Sequence, residues 1–123
     1  MTNKIFSFTD LIVWQKAHLL VLSIYKLTKL FPTDEIYVLI PQLRRCAISI
    51  TSNIAEGFSR KGKKEKIQFY SMSLGSLTEL QNQLIIAKDL GYITNETYGE
   101  QSAIILEIHK MLNGLIKSAQ ARP

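Results

Sequence analysis

The chain has 123 residues, which fits one domain and suffices to bury roughly two-thirds of its unfolded surface without disulfides or a structural metal. Hydrophobic residues make up 46% and charged residues 20%, which excludes disordered and fibrous classes. The net charge of +5 favours an acidic partner, whether nucleic acid, an anionic membrane surface or an acidic protein face, so the placement of that charge becomes the question.

Cys46 is the only cysteine. It excludes an intrachain disulfide and a multi-cysteine zinc site, and with no apparent signal peptide the expected location is cytoplasmic. The longest strongly apolar stretch, Leu19 to Tyr25, contains Ser23 and ends at Lys26, well short of the about 20 residues that span a bilayer.

Helix one is expected over about 10–30. Trp14, Ala17, Val21, Ile24, Thr28 and Phe31 recur three and four apart and form one stripe. Thr9 or Asp10 is placed to cap its start, and Phe31-Pro32 to end it, because the residue before proline leaves the helical region. Thr33-Asp34-Glu35 reads as one short helical turn. Helix two, over 41–58, opens on Pro41, whose missing N–H costs nothing at a helix start. Leu43, Ala47, Ile50, Ile54 and Phe58 form its stripe, and Gly57 marks a fraying end.

Residues 59–62 form a loop. Helix three is expected over 63–90, with Tyr70, Ser73, Leu77, Leu80, Leu84 and Ala87 inward and Gly91 as its C-terminal cap. Helix four, over 95–119, keeps a heptad rhythm through Tyr98, Gln101, Ile105, Ile108, Leu112, Leu115 and Ala119. Short connections between successive helices favour an all-α, antiparallel up-down-up-down four-helix bundle spanning 1–123 as a single domain. Leu11, Ile12, Val13, Leu19 and Leu22 on helix one, with Leu106 and Ile116 on helix four, exceed what one core needs. Such a second apolar face points to a homo-oligomer.

Catalytic and metal signatures are missing. His18 and His109 lack the Glu three residues upstream that di-iron bundles use. No glycine-rich phosphate loop occurs, and Cys46 beside Ala47 reads as a buried thiol. The expectation is no enzyme, no metal and no cofactor.

The densest polar feature is Arg60-Lys61-Gly62-Lys63-Lys64-Glu65-Lys66. Cations at a helix N-terminus oppose its dipole, so the run reads either as a solvated loop or as a phosphate-binding cluster. Arg44 and Arg45 add charge on helix two. With no aromatic residue interleaved, phosphate contact with little sequence preference is the binding mode this charge supports. A second polar group, Gln42, Arg45, Ser49, Asn53 and Glu56, lies along one face of helix two, and Ser73, Ser76, Glu79 and Gln83 lie along helix three. These predict a hydrogen-bonded seam between the two helices, with Asn53 and Glu56 buried, in preference to a small-molecule site.

Asp10-Leu11, Val13-Trp14-Gln15-Lys16-Ala17, Ile24-Tyr25, Phe31-Pro32, Gln42-Leu43-Arg44-Arg45, Ser49-Ile50-x-x-Asn53-Ile54-Ala55-Glu56-Gly57, Gly75-Ser76-Leu77-x-Glu79-Leu80 and Ala87-Lys88-Asp89-Leu90-Gly91-Tyr92 occur in this order and spacing. Over roughly residues 6 to 118 the chain resembles the four-helix-bundle proteins encoded in intervening sequences of bacterial 23S rRNA genes, the S23-type ribosomal proteins. Pro41 departs from the family pattern, where a small polar residue is usual, and predicts a second helix shortened by one turn. The resemblance implies a bacterial protein, an antiparallel four-helix fold and a five-fold ring. It extends in architecture to the accessory variability protein of diversity-generating retroelements, a basic pentamer that binds nucleic acid and a reverse transcriptase. It transfers no catalytic residue.

The function expected from residues and resemblance together is a non-enzymatic, oligomeric accessory protein that binds RNA or DNA through phosphates. Arg60, Lys61, Lys63, Lys64, Lys66, Arg44 and Arg45 are the candidate contacts, and Gln42, Ser49, Asn53, Glu56, Ser76 and Glu79 the structural seam. The alternative is a scaffold whose basic face meets an acidic protein such as a reverse transcriptase.

Overall fold

A computed structural model describes residues 4–123; residues 1–3, included in the single-domain reading, lie outside the described residues. Four helices, α1 (Ile12–Thr28), α2 (Leu39–Ser59), α3 (Lys63–Asp89) and α4 (Asn95–Gln120), account for most of the chain, and short 3-10 turns cover Phe8–Asp10 and Thr33–Glu35. No strand occurs among the described residues.

The contacts between helices establish their directions. Arg44 of α2 reaches Thr28 and Tyr25 at the end of α1. Cys46 and Ser49 meet Ser76, while Ile50 meets Ser73, so α2 and α3 run antiparallel. Lys16 pairs with Glu107 and Ser23 with Gln101, which closes the up-down-up-down bundle between α1 and α4. The core follows the expected stripes: Ala17, Leu20, Ile24, Leu43, Ala47, Ile50, Ile54, Leu77, Leu80, Leu84, Ile108 and Leu112 are all essentially inaccessible.

Helix ends depart from expectation where side chains reach further than spacing suggests. Neither Thr9 nor Asp10 caps α1. Ser7 and Asp10 instead form a capping box around the first 3-10 turn, and Leu11 occupies the α1 N-cap without a side-chain bond. Helix α1 stops at Thr28, two residues before the expected end, because the turn that follows carries Phe31 into the core ahead of Pro32. Helix α2 starts at Leu39, not at Pro41, so the proline does not shorten it. Pro41 is the third helical residue and still lies among the first four, whose N–H groups have no partner in the helix. The Leu39 N–H is met instead by Glu35 Oε1 at 3.3 Å. Glu35 Oε2 also accepts from the Tyr92 hydroxyl at 2.7 Å. One carboxylate thus joins the α1–α2 connector to the α3–α4 turn.

Gly91, at φ 81°, ends α3 in a Schellman motif, with Gly91 N–H on the Lys88 carbonyl and Tyr92 N–H on the Ala87 carbonyl, both at 2.9 Å. Gly57 does not mark a fraying end. It is buried two residues inside the end of α2, and a Cβ there would lie 2.6 Å from Tyr70 Cε1 on α3. This glycine lets the Tyr70 ring lie against the α2 backbone.

Gly57→Ala is therefore expected to destabilise the fold: overpacking costs about 1–3 kcal/mol, offset by at most about 1 kcal/mol of helix propensity. Gly75→Ala, where a Cβ meets nothing within 4 Å, should be neutral or stabilising. Urea denaturation of both variants checks the contrast.

Candidate functional site

Antiparallel packing brings the start of α1, the α2–α3 loop and the end of α4 to one end of the bundle. Lys4, Arg60, Lys61, Lys63, Lys64, Lys66, Lys117 and Arg122 gather there against Asp10, Glu56 and Glu65. The balance is +5, equal to the formal charge of the whole chain. The rest of the molecule is neutral on the same count, so the bundle is polarised along its axis. Lys4, Lys117 and Arg122 are scattered in sequence, and only the folded path adds them to the basic run.

Within that run the cations are not equivalent. The Arg60 guanidinium reaches Glu56 at 3.0 Å and Glu65 at 3.9 Å and lies 4.9 Å over the Phe69 ring. Lys66 is 8% exposed. Its Nζ donates to the Phe58 carbonyl at 2.9 Å and the Gly57 carbonyl at 3.2 Å, both at the end of α2, where the Gly57 carbonyl also accepts from Arg60 N–H. Burial lowers the Lys66 ammonium below its ordinary range, and the Arg122 charge adds to the effect. Arg60 and Lys66 therefore serve the α2–α3 junction, whereas the other lysines of the expected cluster, Lys61, Lys63 and Lys64, are all exposed. Lys63 bonds only the exposed Arg122 carbonyl, at 3.3 Å. The sequence signal for the Lys66 role was its spacing: it follows Phe58 by eight residues across a short loop, close enough to turn back onto the preceding helix end.

Arg44 and Arg45 lie at the opposite end of the bundle, near the start of α2. Arg44 Nε donates to Thr28 Oγ1 at 2.9 Å and its guanidinium stacks 4.5 Å from the Tyr25 ring centroid, which ties α2 to the end of α1. Arg45 is exposed. These two arginines do not join the basic end; about 1.5 Å per residue separates them from Arg60 by roughly 20 Å along the axis.

The polar seam is narrower than expected. Ser49 Oγ and Ser76 Oγ lie 2.8 Å apart, and Asn53 Nδ2 donates to the Ser49 carbonyl at 2.8 Å and to Ser49 Oγ at 3.0 Å. Ser73 Oγ donates to the Ile50 carbonyl at 2.8 Å. Asn53 is half-buried, whereas Gln42, Glu56 and Glu79 are exposed. Glu56 turns to Arg60 instead of inward, because a carboxylate is cheaper to hold in a solvated ion pair than in the seam. Cys46 belongs to the seam: its thiol donates to the Ser76 carbonyl at 2.9 Å. Burial, with the Glu79 charge adding to it, pushes its pKa up to about 12.

His18 stacks on Trp14 with ring centroids 4.8 Å apart, and His109 meets Asn113. Among the described residues no group of three or more His, Cys, Asp or Glu side chains comes together as a metal site, and no helix is long and apolar enough to cross a membrane. Ile12, Leu19 and Leu22 of α1 and Leu106 of α4 are exposed, while Val13, counted among the surplus from its spacing, belongs to the core.

Fold and site together define an antiparallel four-helix protein with one basic end and an exposed apolar stripe along α1. Residues 9–114 match the 23S rRNA-intervening sequence protein family, and the chain belongs to that family. It is similar to a crystal structure from Bacteroides thetaiotaomicron described as a protein with unknown function from the S23 ribosomal protein family. The two share 27% identity and a TM-score of 0.79, over 86% of this chain and 99% of that one. No curated protein matches.

Two outcomes follow from the geometry. Lys66→Met should cost about 1–3 kcal/mol by leaving the Phe58 carbonyl without its donor, whereas Lys64→Met should change stability by less than about 0.5 kcal/mol; urea titration compares them. Cys46 should resist alkylation at pH 8 in the folded protein and react on unfolding. Its folded pKa lies above the ordinary 9.0, so the unfolded chain loses the proton first. The thiol's contribution to stability is then complete below about pH 9 and is lost as pH rises towards 12, which denaturation at stepped alkaline pH measures.

Proposed function

We propose that this protein is a non-enzymatic, self-associating accessory protein that binds RNA or DNA through phosphate contacts at its basic end. The observation that carries the reading is the axial polarisation: the whole net charge of the chain gathers where the α2–α3 loop and the end of α4 meet. Lys61, Lys63 and Lys64 supply mobile, hydrated ammonium groups suited to phosphate oxygens. Self-association is supported by the exposed Ile12, Leu19 and Leu22, three and seven residues apart on one stripe of α1. The assembly proposed is a cyclic homopentamer, as the family resemblance implies. A ring would present every basic end at one height, and repetition would strengthen weak contacts with any nucleic acid long enough to reach several subunits.

Binding should be nearly independent of sequence, tighter for longer strands and steeply weakened by salt. Replacing Lys61, Lys63 and Lys64 together by Ser should flatten the log–log salt slope by up to ~0.9 for each duplex DNA phosphate that the variant leaves unneutralised, with fold and oligomer unchanged. Fluorescence titrations at several salt concentrations read this out. An unchanged slope would move the binding to another surface, and no binding by the parent protein at low salt would leave the scaffold for an acidic protein in its place. Sedimentation at micromolar concentration should give a closed oligomer that Leu19→Lys and Leu22→Lys together dissociate; a monomer throughout would remove the ring.

A further inference from the structure

Of the four sides of the bundle, the one between α1 and α4 is the least tightly closed. Lys16 and Glu107 bridge it at 2.6 Å. Between that ion pair and the basic end, the two helices part over a groove. Its outer section, about 390 Å³, is walled mainly by Leu11, Ile12, Val13, Met111 and Leu115, with Asp10 and Ser118 at its edge. Its inner section, about 220 Å³, shares Ile5, Leu11 and Leu115 and ends on Lys66, Tyr70 and Arg122. Gly114 lines the outer section, and a Cβ there would meet nothing within 4 Å, so the missing side chain widens the groove.

The two ends of this groove differ in chemistry. At the inner end, Lys66 spends two of its three N–H donors on backbone carbonyls and, among the described residues, neither it nor Arg122 pairs with a carboxylate. A buried ammonium next to a second cation is costly without an anion. At the other end the walls are mostly aliphatic, with methionine as an adaptable surface, and the Asp10 carboxylate there is already engaged by the Phe6 and Ser7 N–H groups. A nucleotide would set the polar edges of its base and ribose against Leu11, Val13, Met111 and Leu115. An alkyl chain would leave none of these four side chains facing an unpaired polar group.

We propose that this groove binds a single-chain amphipathic anion, a medium-length acyl carboxylate whose head is held by Lys66 and Arg122 and whose chain lies between α1 and α4. From Ala119 to Met111 the groove follows α4 for roughly 12 Å, at ~1.5 Å per residue, which sets the chain length. Its volume lies in the range of small-ligand sites. The site does not rest on the nucleic-acid reading, since its walls exclude Lys61, Lys63 and Lys64.

The test is titration of the full chain with decanoate below its micelle concentration, read by calorimetry and by thermal denaturation. One decanoate per chain should bind and raise the Tm, as any ligand of the folded state does. Decyltrimethylammonium and acetate should each bind at least tenfold more weakly, because one reverses the head charge and the other lacks the chain. Gly114→Leu, which fills the groove and improves helix propensity, should fold and lose decanoate binding. Arg122→Ala should weaken decanoate binding while leaving the weak binding of decyltrimethylammonium unreduced. No decanoate binding would overturn the proposal. So would equal binding of the cationic analogue, or undiminished uptake by Gly114→Leu. Binding only to phosphatidylglycerol vesicles would make the partner a membrane and overturn it too. A Gly114→Leu variant that changes the oligomer yet keeps decanoate uptake would place a second copy in the groove and have the same effect.

Discussion

The close approach of α2 and α3 organises the rest of this molecule. At Gly57 the Tyr70 ring lies against the α2 backbone at a distance no side chain would permit, and from there the seam is held by small hydroxyls, Ser73 on the Ile50 carbonyl and Ser49 on Ser76. Small polar residues let two helices pack closely while each buried hydrogen-bonding group finds a partner. Once this pair is in register, the Lys66 ammonium falls on the carbonyls that close α2. The sharp turn between the helices is thereby fastened by a cation, which also complements the negative end of the α2 dipole.

That fastening resolves an apparent conflict in the sequence. Basic residues at the start of α3 oppose its dipole, and a sequence selected only for helix stability would place acids there. Lys66 belongs electrostatically to the end of α2 rather than to the start of α3, and Arg60 is neutralised by Glu56 and Glu65. Lys61, Lys63 and Lys64 have no comparable structural duty, since the bond from Lys63 to the exposed Arg122 carbonyl is at the surface. They are the part of the run that the fold does not explain. The proposed phosphate contacts rest on them, with Lys4 and Lys117 nearby from other parts of the chain.

The far end of the bundle is built differently. Glu35 accepts from Leu39 N–H and from the Tyr92 hydroxyl, Phe31 packs on Tyr92 with ring centroids 5.3 Å apart, and Arg44 is committed to Thr28 and Tyr25. Glu35 and Arg44 there join connectors to helices. The two ends differ although both are fastened by buried polar contacts: the α2–α3 end also carries the exposed Lys61, Lys63 and Lys64.

Much of the fold was legible in the sequence, because burial along a helix repeats every three to four residues and the core positions of all four helices carry that rhythm. Gly91 was legible as a cap, since the left-handed conformation it adopts strongly favours glycine. The basic run and the hydroxyl seam were visible as patterns, and the family was recognisable from the order of its short motifs. Helix starts were less so: a glutamate four residues upstream of Leu39, and a serine before the 3-10 turn, do capping work that local spacing assigned elsewhere. What a given polar side chain faces depends on the neighbouring helix, and one chain's periodicity does not specify the neighbour's register. For that reason Glu56 could be placed on the right face yet wrongly buried, Arg44 and Arg45 could be grouped with cations at the opposite end, and Gly57 could be read as a loose end when it is packed against Tyr70 of α3. Sequence determined which faces are apolar; only the packed bundle decided which charges remain free, because that depends on where the ends of four helices meet.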